Sequence, residues 1–565
     1  MKTSNLLAVL LISLGSFGAA NAQTFTQLGS VFDGMSFGTV DWGDYDGDGD
    51  LDLLLIGDAT GGDIARLYRN DNGSFMPVAD TFQAATDNSA AWGDFDNDGD
   101  LDFIMSYQLA SDGEGTILYR NDGNDQFTAL DISVPGLSQG YVDWGDFDND
   151  GDLDFVIMGS GSFPLGNVTR VYRNDGAGVF TDINAGLMGL RRGTVEWGDF
   201  DNDGDLDILQ EGTAGFSLTR TLLYRNDGGG TFTLVPAGLK GVYDGQAHWG
   251  DYDRDGDLDI LIDGSDSTTD RFTIVYRNDG SGTFTNINAT LPVAGEGSSI
   301  AWGDCDNDGD LDVAITSAGT GFNDVYRYLS DSTYAQLNVP LLGICCGSLA
   351  WGDYDSDNDL DLVSAQLLTG TTLYRNDIST KNTPPSPPDG LQSTVDGSTA
   401  TLSWQEGSDL ETGLAGLSYN LRVGTTPGGV DIVSPMSNPS TGYHYLADMG
   451  NVFENKTWKV VGLTEGTYYW SVQSIDNNFT GSLFAGEQIF VVGSPEYVCG
   501  DVNLDGEGPD IADLIYLVDY MFADGPPPPM ISVADVNNSG GNVDISDLIY
   551  FVDFMFGSGP APSCA

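Results

Sequence analysis

The feature that most restricts the fold is a nine-residue pattern, first met at residues 44–52 within WGDYDGDGDLD, in which aspartate occupies every odd position. Asp44, Asp46, Asp48, Asp50 and Asp52 stand at positions one, three, five, seven and nine, and Gly49 at position six lacks the Cβ that a sharp turn would reject. Two carboxylates about 4 Å apart repel by roughly 4 kcal/mol at an effective dielectric near 20, so five in so short a stretch need a counter-charge to stay compact. Calcium suits them, because it accepts roughly six to eight oxygens in a flexible shell. Magnesium prefers a rigid octahedron with retained water, and zinc prefers nitrogen and sulfur.

The pattern returns behind Trp-Gly at Trp42, Trp92, Trp144, Trp197, Trp249, Trp302 and Trp351, a spacing of about fifty residues. Positions one, three, five and nine are the expected metal ligands. They are Asp44, Asp46, Asp48 and Asp52; Asp94, Asp96, Asp98 and Asp102; Asp146, Asp148, Asp150 and Asp154; Asp199, Asp201, Asp203 and Asp207; Asp251, Asp253, Asp255 and Asp259; Asp304, Asp306, Asp308 and Asp312; and Asp353, Asp355, Asp357 and Asp361. Glycine holds position six in six copies, and in the seventh Asn358, which also tolerates a left-handed backbone, takes its place. Up to seven calcium ions are expected.

Each repeat reads as four strands. In the second copy these are residues 89–94, 101–107, 116–120 and 126–130, with the metal loop between the first two and an Asp-Gly turn between the last two. That unit and period predict a β-propeller of seven blades over residues 23–378. The seventh copy ends after LYRND without its fourth strand, and the missing piece stands at the other end as Phe25-Thr26-Gln27-Leu28, which is expected to complete the last blade and close the ring. Each copy also carries Tyr-Arg, from Tyr68-Arg69 to Tyr374-Arg375. At one fixed structural position, these arginines are expected to pair with aspartates rather than to meet a ligand. The repeated tryptophans are expected in the core between blades.

The stretch resembles the FG-GAP or VCBS type of repeat and is similar to the calcium-binding blades of the integrin α-subunit, whose DxDxDGxxD motif is matched at Asp44, Asp46, Asp48, Gly49 and Asp52. In that family calcium stiffens loops on one face while ligands meet other loops, so the resemblance implies binding rather than catalysis.

The charge of −65 arises from 85 acidic residues against 20 basic ones, and 35 of the acids lie in the seven loops. Even filled loops would leave a strongly negative chain, which disfavours nucleic acid and anionic membranes. Lys2, the apolar run at residues 6–14 and Ala20-Asn21-Ala22 predict a signal peptide over residues 1–22 and a secreted or cell-surface protein. No later stretch is apolar over the eighteen or so residues that insertion into a membrane needs. Of five cysteines, Cys499 and Cys564 bracket the last domain and are expected to clasp its ends; Cys305, Cys345 and Cys346 leave a pairing open.

A proline-rich linker, TPPSPPD, lies within residues 379–390. Residues 391–493 read as a β-sandwich: Trp404 sits in an alternating strand, and LTEGTYYWSV at residues 463–472 resembles the tyrosine corner of fibronectin type III domains. Its expected role is that of a spacer. Residues 495–565 hold two copies of an acidic loop followed by a helix-patterned stretch, the first with Ile511, Leu514, Ile515, Val518 and Met521 on one face and the second with Ile545, Leu548, Ile549, Val552 and Met555. This α-helical pair resembles a type I dockerin, the calcium-folded module that plugs secreted proteins into cohesin-bearing scaffolds. The resemblance implies up to two calcium ions, on Asp501, Asn503, Asp505 and Asp513 and on Asp535, Asn537, Ser539 and Asp547, with partner-reading residues at Ile511-Ala512 and Ile545-Ser546.

The whole is therefore expected to be mainly β, a secreted calcium-binding protein whose propeller engages an extracellular glycan or protein and whose C-terminal module tethers it to a cohesin-like scaffold. No catalytic residue stands out. The two histidines, His248 and His444, lie in different domains, and His248 reads as incidental. A polysaccharide hydrolase or lyase built on the propeller, or a matrix spacer, are the alternatives.

Overall fold

The computed structural model describes residues 25–563 apart from 79–81, 109–112, 163, 216–217, 295–296, 318–321, 331, 343–346, 367–369, 494–498, 504–507, 524, 529–530 and 540–542. The expected signal peptide at residues 1–22, Cys345, Cys346, Asp505 and Cys564 thus lie outside the described residues. No helix among the described residues is long and apolar enough to cross a membrane.

Among the described residues, seven four-stranded antiparallel sheets follow one another along the chain. The first consists of Met35–Gly43, Asp52–Ala59, Gly62–Asn70 and Phe75–Pro77. The second strand of each is its most buried: Leu53, Leu54, Leu55 and Ile56 are all inaccessible, because both faces of the sheet are covered by neighbouring sheets. The seventh sheet takes Ser348–Gly352, Asp361–Ala365 and Thr371–Asn376, and its fourth strand is Phe25–Phe32 from the other end of the chain, in the register Phe25 to Asn376 and Gln27 to Tyr374. The expected closure is therefore present, and it removes the edge that Thr371–Asn376 would otherwise expose.

Adjacent sheets meet through the Trp-Gly pair. The glycine of one sheet lies flat under the tryptophan of the next, so that a Cβ on Gly198 would come within 2.6 Å of Trp249 Nε1 and one on Gly352 within 2.7 Å of the Trp42 ring. Since Gly43 in turn meets Trp92, this contact runs round the whole ring and returns to its start. The tryptophans are core, as expected; Trp42 is almost wholly buried.

Residues 389–492 form two three-stranded sheets, one of Asp389–Asp396, Thr399–Gln405 and Thr457–Val460, the other of Ser418–Gly424, Gly466–Ile475 and Gln488–Val492. The first strand begins inside the stretch read as linker. Trp404 packs against Tyr419 and Trp470 between the sheets, with ring centres 5.8 and 6.4 Å apart. The sandwich, expected as a spacer, is not set apart from the ring. The bulk of it belongs to the same compact unit as the ring, and the linker itself is tied down, with Lys381 Nζ 2.8 Å from Asp357 and Asn382 Nδ2 donating to Asp476 at 2.7 Å.

A second unit is built chiefly from residues 491–565. It has helices at Ile511–Phe522 and Ile545–Phe556, each begun by an Asp-x-x-Asp capping box, Asp510 with Asp513 and Asp544 with Asp547. The core holds Val502, Leu517, Ala534, Val536 and Phe551. The apolar face drawn from sequence is split: Leu514, Met521 and Leu548 pack inward, whereas Ile511, Ile515, Val518 and Phe522 and their counterparts Ile545, Ile549, Val552 and Phe556 are exposed. Apolar residues extend round more of each helix than one partner helix can cover.

A chain beginning at Ser36 loses the strand that completes the seventh sheet, and we expect its melting temperature to fall by more than about 5 °C in calorimetry. An unchanged transition would show that the ring closes without that strand.

Candidate functional site

The seven acidic loops share one hydrogen-bond plan. The aspartate at position one is buried in five of the seven loops and half-buried in the third and seventh, and its carboxylate accepts from two backbone amides of its own loop; Asp44 takes Asp48 N–H at 3.1 Å and Gly49 N–H at 2.9 Å. The same pair of bonds recurs in the other six loops. The aspartate at position nine starts the second strand and accepts from two more amides in the first six loops, as Asp52 does from Tyr45 at 3.1 Å and Asn70 at 2.7 Å. Position six sits in the left-handed region, with φ near 90° at Gly49 and 64° at Asn358, so the asparagine fills the role expected of it.

The loops fit a hard cation. Carboxylate oxygens of Asp44, Asp46 and Asp48 lie within 4.8 Å of one another, as do those of Asp94, Asp96 and Asp102, of Asp146, Asp148 and Asp154, of Asp199, Asp201 and Asp203, and of Asp251, Asp253 and Asp255. At position three, Oδ1 of Asp148, Asp201, Asp253, Asp306 and Asp355 is buried without a hydrogen-bond partner. A buried carboxylate oxygen with no donor is costly, and a cation at that point would offset the cost. Burial, and then the neighbouring carboxylates, push Asp52, Asp102, Asp207 and Asp259 up to about 9 and Asp44 up to about 7, against the pull of their backbone donors.

Two further sets of residues position the loops, and sequence reading did not single them out. The asparagine after each Tyr-Arg, except in the sixth repeat, ties its own loop to the preceding one: Asn226 Nδ2 donates to Phe147 O at 2.9 Å, and Asn70 Nδ2 to Tyr354 O at 2.7 Å across the closure. Position four latches onto position seven of the next loop, as Asn97 to Asp152, Asn149 to Asp205, Asn202 to Asp257 and Asn307 to Asp359, with Arg254 to Asp310 as the charged version. The Tyr-Arg arginines pair with aspartates as expected, Arg120 with Asp122 at 2.7 Å and Arg173 with Asp175 at 2.6 Å. In the sixth repeat, where the Asn-Asp turn is missing, Arg327 instead reaches Asp306 in the acidic loop at 2.7 Å. Cys305 is buried there, with Sγ 2.8 Å from Asp312.

The sandwich covers the face that carries these loops. Tyr445 O accepts from Asp44 N–H, Asn97 Oδ1 from Ser434 N–H, Asn149 O from Val461 N–H, Asp199 Oδ2 from Asn455 Nδ2, Gly309 O from Asn477 Nδ2 and Asn358 O from Asn478 Nδ2. Arg254 of the fifth loop packs on Gly416. Every loop is held.

Beneath that cover the ring encloses an axial cavity of about 830 Å³. The residue before each Trp faces it, so that Asp41, Asp143, Glu196 and His248 share its wall with Ala91, Ala301 and Ala350, and Asp448 enters from the sandwich. His248 is not incidental: its Nδ1 lies 2.6 Å from Glu196 Oε1, and although burial works against protonation, Glu196 outweighs it and raises the imidazole pKa. At the end away from the loops stand Phe37, Gln139, Arg192 and Asp244, each with φ between 51° and 59°, a rare conformation for residues with side chains. Arg192 and Asp244 form a two-bond ion pair, and Phe37 is 47% exposed.

In the C-terminal unit Asp513 and Asp547 are fully buried and accept from Asn503 and Asn537 N–H, respectively. Asp501 and Asp535 are buried, Asp535 accepts from Ser539 N–H at 2.9 Å, and Asn537 Oδ1 has no partner. Ile511, Ala512, Ile545 and Ser546 are exposed. Cys499 is disulfide-bonded.

The family model described as FG-GAP-like repeat matches residues 44–105 and 266–315. No curated protein matches the chain in sequence. Among solved structures, the chain is similar to the extracellular domain of a hybrid two-component system of B. thetaiotaomicron at 11% identity and a TM-score of 0.38, over 82% of this chain and 56% of that one. It is also similar to the Aleuria aurantia lectin in complex with α-methyl-L-fucoside, at 11% identity and a TM-score of 0.34 over 54% and 95% of the two chains. A third likeness is to the Penicillium chrysogenum α-L-arabinanase complexed with arabinobiose, at 11% and 0.31 over 57% and 98%. Residues 44–105 and 266–315 thus match FG-GAP-like repeats, and the arrangement of the sheets is itself propeller-like.

Replacing Asn226 by Ala leaves buried Phe147 O and Gly228 N–H unpaired at the joint between two loops, and should cost about 2–3 kcal/mol in urea unfolding. A loss below about 0.5 kcal/mol would mean that this asparagine does not tie the sheets together.

Proposed function

We propose that the chain is a secreted, calcium-stabilised binding protein: a seven-bladed propeller that engages an extracellular glycan or protein, a fibronectin-like sandwich fixed to it, and a dockerin-like tether. The observation that carries this reading is the cover over the loops. With the metal-loop face occupied by the sandwich, the accessible end of the axial cavity is the one ringed by Phe37, Gln139, Arg192 and Asp244. An exposed aromatic beside paired planar polar groups suits the ring faces and hydroxyls of a sugar. Calcium, on this reading, works at a distance from the ligand by neutralising the loops on which the sandwich rests.

The test is retention on a panel of plant and microbial polysaccharides and on secreted proteins, with calcium and with excess chelator. Calcium-dependent retention is expected, together with a rise in melting temperature on adding calcium that magnesium does not match. Retention that chelator leaves untouched, with no calcium effect on melting, would remove the metal from the account; failure to retain anything would leave a structural role. A second reading, hydrolysis or lysis of a polysaccharide, has one observation in its favour: Asp41, Asp143, Glu196 and His248 converge on one cavity. New chain ends in the same assay would establish it.

The tether rests on the duplicated exposed stripes, Ile511, Ile515, Val518 and Phe522 matching Ile545, Ile549, Val552 and Phe556. Because the two stripes are near copies, either alone should support docking to a cohesin-like partner. Ile515→Asp or Ile549→Asp alone should therefore be tolerated in a pull-down and the double variant should not. Equal capture of the double variant and the parent would sink the proposal.

A further inference from the structure

The axial cavity is chemically lopsided. Asp41, Asp143 and Glu196 reach it from three sheets and Asp448 from the sandwich, against His248, which Glu196 already engages, and Arg192 at the far end, which Asp244 engages. Glu454, 7% exposed, also lines the cavity, on the side of Asp199 and Asp251 in the loops, and its Oε2 has no hydrogen-bond partner; within the acidic group itself His248 Nε2 has none. These are polar atoms withdrawn from bulk water and left unsatisfied by the protein, which is costly unless a ligand completes them. At about 830 Å³ the space falls within the usual range for small-molecule sites, about 300–1,000 Å³, and is far wider than the cage a metal ion draws round itself.

We propose that this cavity binds a small molecule through a protonated primary amine, held among Asp41, Asp143, Glu196 and Asp448. The proposal rests on the reading of the far end of the ring as the ligand's entrance, and it names the ligand's chemistry. An ammonium group offers three donors and a compact positive charge, matched to carboxylates converging from several directions, whereas a neutral sugar would leave the acids uncompensated. The protein's own electrostatics point the same way. Burial first, and then repulsion from neighbouring acids, hold Asp41 up to about 8 and Asp448 up to about 6, so that near neutral pH Asp41 carries a proton which a cation would displace.

Two sources of such an amine, an amino sugar and a polyamine, are separated by calorimetric titration of the full chain in calcium with the disaccharide of glucosamine, with spermidine, and with the disaccharide of N-acetylglucosamine. One or both amines should bind, the acetylated sugar at least about tenfold more weakly, and Asp143→Asn and Asp448→Asn should each weaken the amine by about tenfold. Asp448→Asn, in an irregular segment of the sandwich, is checked for an unchanged melting temperature, so that lost binding is not lost folding. Binding of the glucosamine disaccharide alone assigns the site to amino sugars, and of spermidine alone to polyamines. Equal binding of the acetylated sugar, indifference to both substitutions, or no binding of either amine overturns the proposal. Should neutral polysaccharides still be retained in that last case, the binding-protein reading survives and only the amine site falls.

Discussion

The structure depends on a carboxylate buried at the first position of a short loop and held there by the backbone of the same loop. Asp44 and its six counterparts each accept two amide protons, and the aspartate eight residues on accepts two more in the first six loops, so loop, strand start and neighbouring turn are fixed together. Such bonds to ionised acceptors are stronger than ordinary ones. They hold each carboxylate at one spot, while in five of the loops Oδ1 of the aspartate at position three is left without a donor. The arrangement concentrates charge where repulsion is least screened, which is why these groups take up protons so readily.

From that local rule the ring follows by repetition. A loop that ends in a fixed strand start places Trp-Gly in the same relation to every neighbour, and the bare glycine lets the next tryptophan lie against the chain. Asparagine and aspartate latches between successive loops then make the acidic face one connected surface. The sandwich rests on that surface and touches all seven loops. Anything that loosens the loops therefore loosens two domains at once, and the rigid cover fixes which end of the ring a ligand can approach.

Periodicity made much of this legible in the sequence. Seven spaced motifs, four strands in each, and a missing last strand matched by Phe25 to Leu28 led to the repeated sheets and their closure, and repeated Tyr-Arg led to its ion pairs. What periodicity could not carry was lost. The sandwich reads as a detached spacer because its hold on the ring runs through backbone groups and scattered asparagines in the irregular stretches around residues 430–455 and 476–478, which leave no hydrophobic pattern. The C-terminal helices misled for the opposite reason: they carry apolar residues round so much of their surface that a single amphipathic face could not be told from two.

The residues that break the repeat carry the chemistry. Before the seven tryptophans stand Asp41, Ala91, Asp143, Glu196, His248, Ala301 and Ala350, one position whose side chain faces the axis in every sheet yet whose chemistry is not repeated. Nothing in the folding rule demands an acid there, since alanine serves in three sheets. Charged groups at that position are withdrawn from bulk water and oppose one another, which works against stability. Four of them gather on the first, third, fourth and fifth sheets and are joined by Asp448 from another domain. A position that is structurally free, energetically costly and occupied in one sector of the ring is better explained by a ligand than by folding. It also lacks the signature that repeat reading looks for: the alignment of the seven copies shows where the axis is, and only the departures from it show what the axis holds.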